Sequence, residues 1–179
     1  MTIERIPGQL FAVASLKPAP HVWFCAYCGR GGPAGEEPGV LERACSLCGF
    51  GLLLEAVAEI APAPTDVFLV VGDDFAVVAI SHQAEELLGV HERMVVGRPL
   101  TDLLLPAGPE PRGASELMGA VAAATSGAAG VRPLHLRLRT IHDRGLRLHA
   151  RLGRCGPPMG ALIVLEPTAA ERARLLDGA

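Results

Sequence analysis

Aromatic side chains are scarce in this chain: they make up 4% of it, with one Trp and one Tyr. Leu, Val and Ala must therefore build most of the core, and the few aromatics are left as local anchors. Lysine is almost missing. Lys17 stands alone against fifteen arginines, and with so much Ala and Gly this usage looks like that of a GC-rich bacterial genome. No stretch reaches the ~18 uninterrupted apolar residues that a membrane-spanning helix needs, because Gly, Pro or charge interrupts each one. Met1 to Leu10 lacks a basic flank followed by an apolar run, so no secretory leader is expected. A cytoplasmic protein without a membrane partner follows as the expectation. The net charge of −3 excludes an overall basic nucleic-acid binder but not a local basic patch. Half of the residues are apolar, which excludes wholesale disorder.

Four of the five cysteines stand in two pairs, Cys25-Ala-Tyr-Cys28 and Cys45-Ser-Leu-Cys48, with sixteen residues between the pairs. Two residues between cysteines let one tight turn aim both sulfurs at the same point. Gly29 and Gly49 follow the second cysteine of each pair, where a positive φ turns backbone N–H groups toward the thiolates. In a reducing compartment such pairs bind metal more often than they form disulfides. The spacing predicts a tetrahedral four-sulfur site for zinc, closed and therefore structural. Iron in a rubredoxin-like site is the alternative, since the ligands are the same and Trp23, Phe24 and Tyr27 supply an aromatic shell. A dithiol redox pair would need only one of the two motifs.

Proline and glycine divide the map. Ala61-Pro62-Ala63-Pro64 reads as a stiff extended connector, which puts a metal-binding segment at 1–60, a second domain at 65–167 and a short helical tail at 168–179. The first segment has few core residues and is marginal alone, so metal should supply its missing stability. In the second, Val67–Val71 and Phe75–Ile80 are strand candidates joined by Gly72-Asp73-Asp74. Ser81 is an N-cap for a helix that buries Ala84, Leu87 and Leu88 and stops at Gly89, with Glu85 and Glu86 near its positive end. Leu100–Leu104 reads as a helical turn and Ala114–Thr125 as an Ala-rich helix. Leu134, Leu136 and Leu138 alternate with His135, Arg137 and Arg139. Leu146, Leu148, Ala150 and Leu152 alternate with Arg147, His149 and Arg151. Period two over these stretches means strands with one buried face; Ala161–Leu165 is a last strand.

With these residues in place, positions 21–56 resemble a zinc ribbon. Positions 65–166 resemble the PAS family, through Ile80-Ser81-His82-Gln83-Ala84-Glu85-Glu86-Leu87-Leu88-Gly89, then Gly97-Arg98-Pro99-Leu100 and the three terminal strands. The family often has Asn at the place of His82; Ser81 can still supply the cap. The resemblance implies an α+β fold, a five-stranded antiparallel sheet with helices on one face, used as a sensor or interaction module. Haem-binding members use a His on the long helix, and Gly113–Gly130 has none. Flavin-binding members carry a Cys after the second strand, and none lies between Asp66 and Arg154. Neither cofactor is expected. The small side chains of Ala120–Ala124 either leave room for an apolar ligand or pack tightly.

Charge is uneven along the chain. The first 130 residues carry seven basic and fifteen acidic side chains, the last 49 carry nine and four. Pairing the leucines as Leu138 with Leu148 and Leu136 with Ala150 sets Arg139 against Arg147, Arg137 against His149 and His135 against Arg151. Opposed like charges cost stability, so something anionic should meet this face: Glu36, Glu37 or Glu42, a second copy of the chain, a partner protein or nucleic acid. Arg137, Arg139, Arg147, His149 and Arg151 are thus the candidate partner interface. Cys155, in Gly153-Arg154-Cys155-Gly156-Pro157-Pro158, reads as a loop cysteine. Ser81-His82 and His142-Asp143 are assigned capping and turn roles, not catalysis. The expectation is a non-enzymatic bacterial regulatory protein that signals by protein contact, as a homodimer. A nucleic-acid-associated transcriptional regulator and an iron electron-transfer protein are the rivals.

Overall fold

A computed structural model describes residues 20–32, 37–39, 42–107, 112–128, 130–139 and 147–176. The elements run β1 (His21–Cys25), β2 (Leu53–Val57), β3 (Val67–Val71), β4 (Val77–Ile80), α1 (His82–Leu88), α2 (Glu92–Val95), a 3-10 turn at Leu100–Asp102, β5 (Leu104–Pro106), α3 (Arg112–Thr125), β6 (Arg132–Leu138), β7 (Arg147–Gly156), β8 (Gly160–Glu166) and α4 (Ala169–Leu176). This is an α+β fold on one antiparallel sheet, in the order β1-β2-β7-β8-β3-β4, with β6 also on β7 and β5 beyond it. The expected five strands are β3, β4, β6, β7 and β8. β1, β2 and β5 extend the same sheet, so the connector at 61–64 joins strands of one sheet.

The two faces are covered differently. Val67, Leu69 and Val71 of β3, with Ala161, Ile163 and Leu165 of β8, point into a core closed by α1 and α3. The intervening Phe68, Val70, Leu162 and Val164 point the other way, against Phe24 and Ala26 from the first hairpin arm and Leu54 and Ala56 from the second. Phe24 and Phe68 meet edge-to-face with ring centroids 5.9 Å apart. Helices therefore cover the inner face and the β1–β2 hairpin covers the outer one.

Local chemistry accounts for the helix ends. Ser81 Oγ accepts the Ala84 N–H at 3.1 Å and the Phe68 N–H at 3.0 Å, so one buried hydroxyl caps α1 and ties it to β3. Gly89 ends α1 at φ 63°. Thr168 and Glu171 form a reciprocal capping box at the start of α4. On α3, Ala120, Val121 and Ala124 are buried in the inner core, while Ala122 is exposed and Ala123 half-buried.

Three expectations need correction. The β6–β7 pairing is Leu136 with Leu148, Leu134 with Ala150, Arg137 with Arg147, His135 with His149 and Pro133 with Arg151. It is displaced by two residues from the leucine match, a slip that period-two alternation cannot detect because it keeps every side chain on its face. The connection from Ile141 to Gly145, which could have set the register, lies outside the described residues with Leu146, His142 and Asp143. Second, Leu104 belongs to strand β5, not to a helical turn. Third, Cys155 is no loop residue: it is buried within β7, between Ala56 and Gly160.

Removing the Phe24 ring opens a cavity between hairpin and sheet. Phe24→Ala is expected to cost about 3–5 kcal/mol in urea unfolding. Because hairpin and sheet share that core, Trp23 fluorescence and far-UV circular dichroism should report one common transition in the parent chain. An earlier, separate fluorescence transition would show that the hairpin folds independently.

Candidate metal centre

The first cysteine pair sits in the turn that ends β1, the second in the turn that precedes β2, and the β1–β2 ladder brings them face to face. The two turns are built alike. Gly29 N–H donates to the Cys25 carbonyl at 3.0 Å, and Gly49 N–H to the Cys45 carbonyl at 2.9 Å. Both glycines are left-handed, at φ 68° and 71°, as the sequence pattern predicts. The N–H groups of Tyr27 and Cys28 both point at Cys25 Sγ, each at 3.4 Å.

All four sulfurs lie within 4.8 Å of one another. Cys25 and Cys48 Sγ are 3.6 Å apart, Cys28 and Cys45 Sγ 3.9 Å. A tetrahedral ion with metal–sulfur bonds of ~2.3 Å needs sulfur–sulfur edges of about 3.8 Å, which the Cys25–Cys48 and Cys28–Cys45 separations bracket, so the cluster has the size to hold one ion. Cys25 and Cys45 are buried; Cys28 and Cys48 are half-buried. Trp23 and Leu53 pack around the sulfurs, and Arg43 stacks over the Trp23 ring at 5.8 Å. Of the three aromatics expected to shelter the site, Phe24 turns away into the outer core.

Burial pushes the Cys25 thiol far above its ordinary range, and the N–H groups of Cys28 and Tyr27 offset only part of this. Burial also raises Cys28. At Cys48 burial is outweighed by the N–H groups of Gly51 and Phe50 and by the neighbouring Cys25 and Cys45 thiols, which bring it down to about 7. Four close sulfurs of this kind ionise together only when a cation replaces their protons.

No protein-family model and no curated protein matches the chain. Solved structures do. The chain is similar to the PAS domain of nitrogen regulation protein NR(II) from Vibrio parahaemolyticus, at 14% identity and a TM-score of 0.43, over 57% of this chain and 88% of that one. It is similar to a PAS domain from Colwellia psychrerythraea, at 15% identity and 0.39, over 57% and 85%. A third is the PAS domain of histidine kinase ThkA, at 18% identity and 0.36, over 56% and 98%.

The arginine strands find much of their counter-charge inside the chain. Glu166 of β8, directly opposite His149, accepts from His149 Nδ1 at 2.6 Å and from Arg151 Nε. These contacts, His149 first, hold the Glu166 carboxyl below its usual range. Arg151 also donates to the Glu59 carbonyl at the end of the hairpin. Arg139 donates to the Thr101 carbonyl at 3.3 Å. His135 meets His149 edge-on at 5.4 Å, and Arg137 lies opposite Arg147. The anions proposed from the hairpin segment are used locally: Glu37 pairs with Arg43 at 3.0 Å, and Glu42 accepts the Gly39 N–H. Glu36 lies outside the described residues. Glu166 escaped the sequence reading because only the β7–β8 register sets it opposite His149 and beside Arg151. Burial pushes the Cys155 thiol up to about 12, which makes it an unreactive core group.

Gly51 closes the site from the side. A Cβ there would sit 2.4 Å from Cys25 Sγ and 2.8 Å from the Tyr27 backbone nitrogen. Gly51→Ala should therefore lower metal affinity at least tenfold in chelator competition. Gly89→Ala, whose added carbon meets nothing within 4 Å, should leave metal binding unchanged while weakening the α1 cap.

Proposed function

We propose that this chain is a non-enzymatic bacterial signalling protein, a PAS-like sensor or protein-interaction domain whose outer sheet face is covered by a zinc-stapled hairpin. The observation that carries this reading is the closed, partly buried four-sulfur cluster placed where the hairpin must hold its shape to cover that face. Four thiolates fill a tetrahedral shell and leave no position for a reacting water, which suits a structural ion. Zinc is preferred to iron because Phe24 is committed to the outer core and does not shelter the sulfurs. The charge of the β6–β7 strands supports a contact with a protein partner or a second copy of the chain, in the cytoplasm. Among the described residues no helix is long and apolar enough to cross a membrane.

Native mass spectrometry of chain purified without added metal tests this. One zinc per chain, a colourless sample and an even number of chains are expected. A red sample with one iron would establish the electron-transfer alternative instead. Reversing Arg137 and Arg147 together to Glu should abolish the association, and an unchanged sedimentation profile would place the contact elsewhere.

A further inference from the structure

Tyr27 lies between two metal-site cysteines, yet most of its bonds are made to another part of the fold. Its carbonyl accepts the N–H of His82, the first residue of α1, at 2.9 Å. Its hydroxyl donates to Glu85 Oε2 at 3.0 Å and lies 3.4 Å from His82 Nδ1. The second Glu85 oxygen accepts the N–H of Glu92, the first residue of α2, at 2.7 Å. Glu92 in turn accepts the Ile80 N–H at the end of β4, at 3.3 Å. An unbroken series of bonds thus leads from the Cys25–Cys28 turn through one tyrosine to α1, α2 and β4.

The receiving elements are poorly able to hold themselves. α1 has seven residues and α2 four, well below the ~12 at which a helix is even marginal alone. His91, at the N-cap of α2, makes no side-chain capping bond, so Glu85 does that work from α1. The Glu85 side chain is only 14% exposed, which shields its bonds from water.

We propose that the four-cysteine site is a metal-responsive control on the α1–α2 surface, with Tyr27 as the positioning residue that links them. The proposal rests on the metal reading above. With an ion bound, the Cys25–Cys28 turn is fixed, and it presents the Tyr27 carbonyl and hydroxyl to α1 at one place. Without it, the four sulfurs lose their common partner and the turn can relax, so both bonds to α1 and the Glu85 cap on α2 weaken together. What changes is the surface around an open 340 Å³ cleft lined by Tyr27, Phe50, Glu85, His91, Glu92 and Arg93. Exposed Met94 and Val96 lie on and just after α2.

Hydrogen–deuterium exchange on the full chain tests this, with bound metal counted in parallel. Tyr27→Phe keeps the carbonyl and all four sulfurs and removes only the hydroxyl. In the metal-loaded parent, residues 82–96 should be protected, and stripping the metal under reducing conditions should speed their exchange about tenfold or more, the factor expected from losing a hydrogen bond to a carboxylate. Metal-loaded Tyr27→Phe should bind one ion per chain yet already exchange faster at 82–96, with β7 and β8 unchanged. A parent that binds no ion at the cysteines overturns the metal reading and this proposal with it. A parent that binds its ion but whose 82–96 protection ignores both stripping and Tyr27→Phe overturns the proposal alone. If stripping unfolds the whole chain, the loaded Tyr27→Phe comparison decides, and parental protection there overturns the link.

Discussion

The constraint behind this structure is that β3 and β8 are apolar on both sides. Val67–Val71 is buried at every position, and so is β8 from Gly160 to Leu165. A strand of this kind cannot face water on either side without exposing large apolar area, at roughly 25 cal/mol for each Å². α1 and α3 meet the inner face. The outer face is left to a two-stranded hairpin, and such hairpins are at best marginally stable by themselves. Its pairing with β7 covers only two residues, Glu55 with Gly156 and Ala56 with Cys155. The four-sulfur cluster lies at one end of the same hairpin whose Phe24, Ala26, Leu54 and Ala56 cover the outer face.

Some of this was legible in the residues. The paired cysteines, each pair followed by glycine, announced both the turn geometry and the clustering of four sulfurs, because a local motif that needs one backbone shape leaves a local signature. Ser81 and Gly89 marked α1 for the same reason, and alternating leucines marked β6 and β7. The features that escaped are relations between distant segments. The β6–β7 register has two solutions with the same facing pattern. Glu166 is an ordinary acidic residue until β8 sets it beside His149 and Arg151. The glycines and prolines around Cys155 suggest a loop, but the glycines allow close approach within a strand, and a Cβ on Gly153 would sit 3.0 Å from Ile60. Tyr27 packs against the sulfurs as its place inside a cysteine pair suggests, but nothing in the sequence places its hydroxyl beside Glu85.

The charge pattern gains a different meaning from the structure. Opposed like charges on β6 and β7, such as Arg137 and Arg147, cost stability, but Glu166 accepts bonds from His149 and Arg151, and the Glu59 carbonyl takes a further bond from Arg151. Arg151 thus joins three segments: its own strand, β8 through Glu166 and the hairpin end through Glu59.

That boundary can be traced along β7 itself. From Arg147 to Ala150 the strand alternates strictly between exposed and buried positions. From Leu152 to Gly156 every residue except Arg154 is buried. The change coincides with a change of neighbour: β6 pairs with β7 as far as Leu152, and β2 takes the same edge at Cys155 and Gly156. Where β6 is the neighbour, the outer face meets water and carries His149 and Arg151. Where β2 takes over, the hairpin lies above and the strand carries Gly153 and Cys155. A break from alternation to continuous apolar or small residues within one strand is thus the mark of a second layer beginning. Gly153-Arg154-Cys155-Gly156 is that mark, and the cover it implies is the one held by the four cysteines.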